Sequence, residues 1–131
     1  MTVMPSLIAD SAPEKQCQNK NLTHTMACNR AILAVTACGG RAFRREVGLF
    51  SDRRGNPRRI GIAGEADVQG WIGPRGRALA IEVKTGRSVR TDAQKAWAAQ
   101  FQRDGGLYVL ARYSETDDGD ATIRAALEAE R

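Results

Sequence analysis

Residues 64–84 read GEADVQGWIGPRGRALAIEVK, and the last eight of them decide the fold. In an extended strand side chains alternate, so Leu79, Ile81 and Val83 share one face while Ala78, Ala80, Glu82 and Lys84 share the other. A solvated face would be polar along its length. This one stays small and apolar until Glu82 and Lys84. The pattern predicts a strand buried on both faces, with charges emerging where the sheet opens into a cleft. The Gly-Pro-Arg-Gly turn at 73–76 joins it in a hairpin to EADVQGWI at 65–72.

Working outward, a helix is expected from a Thr23 or Thr25 N-cap, with Met26, Cys28, Ala31, Ile32 and Val35 at helical spacing until Gly39-Gly40. RAFRREVGLF at 41–50 alternates as one strand, with Phe43, Val47 and Leu49 on one face, and RRIGI forms a second after the SDRRGNP loop. Beyond Gly86, Ala93, Ala96, Trp97 and Phe101 predict one face of a helix ending at Gly105-Gly106. LYVLARY is a strand, and 121–130 a short acidic helix. Trp71, Trp97 and Tyr108 are expected to pack, and His24 to lie on the surface. The order predicts an α/β domain over 22–131 with one central mixed sheet flanked by helices. Residues 1–21, without apolar periodicity, read as a flexible tail.

At 131 residues the chain fits one domain. A formal charge of +5 favours an anionic partner, and the distribution strengthens that. Seven arginines between 41 and 60 face only Glu46 and Asp52, whereas six acids after 113 face only Arg124 and Arg131. Arg44, Arg45, Arg53, Arg54, Arg58 and Arg59 suit a grip on a phosphate backbone that does not read sequence; they would equally serve as a solvated edge that blocks strand aggregation. No apolar run reaches membrane-spanning length and no secretory signal is visible, so a reducing cytoplasm is expected. Cys17, Cys28 and Cys38 with His24 match no familiar zinc-ligand spacing.

Asp67, Glu82 and Lys84 admit two readings. They are the solvated charges of a strand end and a turn, or two carboxylates that hold a hard divalent cation beside a lysine that offsets charge on a phosphate. Gln94 likewise fits either a capping box with Thr91 or support of that site, and the two are compatible.

FRREVG at 43–48, IGIAGEADVQG at 60–70, LAIEVKTG at 79–86, QKAW at 94–97 and GGLYVLAR at 105–112 carry a further signal. In these blocks, from about residue 28 to 113, the chain resembles the virus-type replication-repair (VRR-NUC) nuclease domain of the PD-(D/E)XK superfamily, in its small stand-alone phage form. The resemblance implies a restriction-endonuclease-like fold and magnesium-dependent phosphodiester cleavage, with manganese as a substitute. It implies Asp67, Glu82 and Val83 as metal-ligand positions, Lys84 as the catalytic lysine and Gln94 as the active-site glutamine. It further implies phage recombination or repair in a bacterial host, with branched DNA such as a Holliday junction as target. Paired incision of a junction would call for a homodimer. A nickase, a flap nuclease or a non-catalytic nucleic-acid-binding module are the alternatives. Two departures stand out. No acidic residue lies between Thr23 and Cys38, where members often carry a helical glutamate, and Arg44-Arg45 stands where Arg-Asn is common.

Overall fold

The computed structural model describes residues 21–130, so the tail expected over 1–21 lies outside the described residues apart from Asn21. The six strands among the described residues are β1 (Arg41–Arg44), β2 (Gly48–Ser51), β3 (Pro57–Ile60), β4 (Val68–Ile72), β5 (Arg77–Thr85) and β6 (Leu107–Tyr113). The three helices among the described residues are α1 (His24–Ala37), α2 (Asp92–Arg103) and α3 (Gly119–Glu128). The chain forms an α/β fold around a four-stranded mixed sheet in the order β1-β4-β5-β6. β4 runs antiparallel to both β1 and β5, and β6 returns parallel to β5 after the α2 crossover.

β5 is central, and residues 79–83 are buried without a break, as expected of a strand covered on both faces. Leu79, Ile81 and Val83 join Val109, Ala111 and Tyr113 of β6 in the main core, against Ala27, Cys28, Ala31 and Val35 of α1 and Ile123 and Leu127 of α3. Small side chains on α1 let its axis lie close to the sheet. Thr23 caps that helix through its hydroxyl, which accepts from the Met26 N–H, and Gly39 ends it in a positive-φ conformation. Arg30 joins α1 to α3 through Asp120 at 2.7 Å, and the Tyr113 hydroxyl donates to the same carboxylate at 2.8 Å.

α2 covers the opposite face, where Trp97 stacks on Phe101 and approaches Tyr108 of β6. Its inner side differs from the one expected. Ala93 and Ala96 are exposed, whereas Gln94, Trp97, Ala98 and Phe101 turn inward. Trp97 and Phe101 stay partly exposed because this one helix is too narrow to cover that face.

Two further expectations are corrected. The alternating run at 41–50 is two strands in different sheets. Arg45 keeps one more bond in the β1–β4 register, its N–H donating to the Asp67 carbonyl at 2.7 Å, and its guanidinium pairs with Glu65. The chain then pairs with β3 in a separate hairpin whose Leu49, Phe50 and Ile60 are exposed. Trp71 lies opposite Arg41 and Ala78, on the face of β4 that α1 does not cover, and is 48% exposed.

Candidate active site

Alternation along β5 places Glu82 on the α2 face, with only 1% of it exposed. A carboxylate so buried needs partners. Its Oε1 accepts from Gln94 Nε2 at 2.9 Å and lies 3.3 Å from Lys84 Nζ. Lys84 also donates to Gln94 Oε1 at 3.1 Å, and that oxygen accepts the Thr91 N–H at 2.8 Å. Gln94 therefore completes the α2 capping box expected of it, and the same amide touches both charges of β5: the capping oxygen also accepts from Lys84, and the NH₂ donates to Glu82.

Asp67 arrives from the other side. Antiparallel register between β4 and β5 pairs Val68 with Ile81, so the residue before it comes opposite Glu82. Its Oδ2 accepts the Val83 N–H at 3.0 Å, a side-chain extension of the β4–β5 ladder. The 61–67 loop is pressed against the start of α2 at Gly64, whose φ is +87°. A β-carbon there would run into the Ala93 carbonyl, so the approach requires glycine.

Burial, then the charge of adjoining Asp67, pushes Glu82 up to about 7, against the pull of Lys84. Its second oxygen, Oε2, is buried and has no hydrogen-bond partner among the described residues. An unsatisfied buried carboxylate oxygen beside a second carboxylate is the environment that a hard divalent cation relieves, so the donor set fits magnesium or manganese. Val83, with an apolar buried side chain and its N–H given to Asp67, has its backbone carbonyl to contribute.

Two residues that the sequence reading weighed for zinc and set aside on their spacing converge on the same place. His24, exposed as expected at the start of α1, has Nε2 3.4 Å from Asp67 Oδ2. Cys28, one helical turn later and buried, has Sγ 3.8 Å from the same nitrogen. The i, i+4 spacing in a helix was the available signal. Burial, reinforced by Asp67, pushes the Cys28 thiol up to about 11. α1 thus meets Asp67 with an imidazole and a thiol.

The six arginines divide into two groups. Arg44 sits at the end of β1 and donates to Thr25 at 3.1 Å, while Arg45 holds Glu65. Arg53, Arg54, Arg58 and Arg59 lie on the β2–β3 hairpin, all exposed, with Arg58 paired to Asp52 at 3.1 Å. Past Lys84, a cleft of about 680 Å³ opens at the carboxyl ends of parallel β5 and β6, lined by Thr85, Gly86, Arg87 and Arg112 among others. None of Asp67, Glu82, Lys84 or Gln94 lines it. Tyr108 packs beside α2 with its hydroxyl buried, and burial holds it protonated. No described helix is long and apolar enough to cross a membrane.

No protein-family model matches the chain, and no curated protein is measurably similar to it.

Proposed function

We propose that this chain is a metal-dependent endonuclease of the PD-(D/E)XK type that hydrolyses phosphodiester bonds in structured DNA. One observation carries the reading. Asp67, Glu82, Lys84 and Gln94, from three separate segments, meet around a buried carboxylate whose second oxygen has no partner among the described residues. A plain solvated strand end would leave these charges in water.

Asp67, Glu82 and the Val83 carbonyl would hold magnesium, or manganese in its place. Bound there, the ion supplies charge to the scissile phosphate and acidifies a water. Lys84, with 12% of its side chain exposed, keeps its ammonium at the mouth of the site. From there it offsets negative charge that builds on the phosphoryl oxygens. Gln94 fixes both β5 charges and so holds the lysine in line, and Asp67 is oriented by the Val83 N–H. Exposed arginines on the hairpin grip the backbone by charge and bidentate contacts. The α/β class, with a mixed sheet covered by helices, supports this reading.

Branched DNA is the proposed target and a homodimer the proposed working form, in the cytoplasm of a phage-infected bacterium. Labelled branched, flapped, nicked and linear DNAs, incubated with magnesium or with EDTA, test this. Magnesium-dependent paired incision of the branched substrate is expected. Equal cutting of all four would leave a nuclease of broad taste, and binding without cutting would leave a non-catalytic module.

A further inference from the structure

His24, Cys28 and Asp67 have the geometry of a site for a softer ion. An imidazole nitrogen, a thiol sulfur and a carboxylate oxygen, one from each residue, lie within 4.8 Å of one another. In tetrahedral zinc sites, metal–donor lengths of roughly 2.0–2.3 Å put nitrogen about 3.4 Å from oxygen and about 3.6 Å from sulfur. Here His24 Nε2 is 3.4 Å from Asp67 Oδ2, and Cys28 Sγ is 3.8 Å from that nitrogen and 3.9 Å from Nδ1. The sulfur thus sits beside the ring, and a turn of the exposed imidazole about its Cβ–Cγ bond aims a nitrogen lone pair between the other two donors.

Helical geometry brings the pair together. Residues one turn apart project from the same face, so His24 and Cys28 reach Asp67 together. The Cys28 backbone is anchored in the main core, while His24 remains open to solvent as an entry for an ion. The three donor types also decide between metals. Magnesium takes oxygen ligands and keeps its waters, whereas thiolate and imidazole select zinc-like ions.

We propose that His24, Cys28 and Asp67 bind a thiophilic divalent transition ion of the zinc class, with three protein donors and one open position. On binding, the neutral imidazole donates its lone pair, the thiol becomes a thiolate and its proton passes to solvent. The binding stands on this geometry alone. Its consequence rests on the proposed nuclease reading: Asp67 is shared, so a zinc-class ion displaces magnesium from that carboxylate and inhibits cleavage.

Cobalt is the probe for the test, in the full chain with Cys17 and Cys38 changed to serine so that Cys28 is the sole thiol. One equivalent of cobalt should give a near-ultraviolet thiolate-to-cobalt charge-transfer band that zinc abolishes. Cys28→Ser should remove the band, and should weaken zinc binding by on the order of a hundredfold, one donor's share of such a site. His24→Gln, at an exposed position that cannot threaten the core, should weaken zinc binding similarly while circular dichroism stays unchanged. No band in the sole-Cys28 protein, or zinc affinity indifferent to His24→Gln, overturns the proposal. Magnesium-dependent cleavage is scored separately. Its absence beside an intact cobalt band removes the nuclease reading alone, and its presence without a band removes only this site.

Discussion

Replacing Glu82 with glutamine should change how stability depends on pH. In the fold this carboxyl is raised from 4.5 to about 7, first by burial and then by Asp67. The folded state therefore holds the proton more tightly than the unfolded chain does. Its contribution is full below 4.5 and is lost as pH rises to about 7. From those two values the loss is on the order of 3 kcal/mol. Glutamine keeps the shape, its amide oxygen can accept from Gln94, and its NH₂ can face Asp67, so it has no such loss. Urea denaturation of both proteins from pH 4 to 8 isolates Glu82 and the groups it touches, since titrating groups remote from it cancel in the difference. Near pH 4 the two should match. Above pH 7 the Gln variant should be more stable, by up to about 3 kcal/mol. Magnesium should restore stability to the wild type at high pH and leave the variant unmoved. A difference that does not vary with pH would mean that Glu82 is neither desolvated nor pressed by Asp67.

Further outcomes follow from the same geometry. Arg53, Arg54 and Arg59 changed together to alanine should weaken DNA binding on every sequence, with the salt slope falling by roughly one unit for each phosphate no longer neutralised; unchanged affinity and slope would place DNA elsewhere. Arg45→Ala should act on stability, because Arg45 helps hold the Glu65 carboxylate that also accepts the Ile62 N–H at 2.8 Å. A urea midpoint equal to wild type would show that this loop needs no such anchor. Tyr113→Phe, which removes a buried hydroxyl from Asp120, should cost about 1–2 kcal/mol in the same assay, and no loss would deny the α1–α3 hub its role.

What was legible in the sequence was what local chemistry determines. β5 announced its burial by alternation, because both of its faces are apolar up to Glu82, and the helix ends were marked by Thr23, Thr91 and Gly39. The capping box of Gln94 was legible in Thr91-Asp-Ala-Gln94, and the contacts of the same amide with Glu82 and Lys84 are compatible with it because an amide offers both an oxygen and an NH₂. Distant partners were hidden. The switch of this run from β4 to β3 depends on partners met only in the fold, and alternation in 41–50 gives no hint of it. Trp71 looks like a core residue until register shows that α1 covers the other face. His24 and Cys28 declared a shared helix face, but nothing local said that Asp67 would meet it.

Cleavage of supercoiled plasmid by the purified chain, in magnesium and in EDTA, with wild type beside Asp67→Asn and Lys84→Ala, tests the site most directly. The amide oxygen of the Asp67→Asn variant can still accept the Val83 N–H, so the fold should survive. Wild type should cut only with magnesium, Asp67→Asn should lose cutting while still binding DNA, and Lys84→Ala should cut slowly. Cutting that persists in EDTA, or an Asp67→Asn protein as active as wild type, would contradict a metal-dependent phosphodiesterase built on these residues.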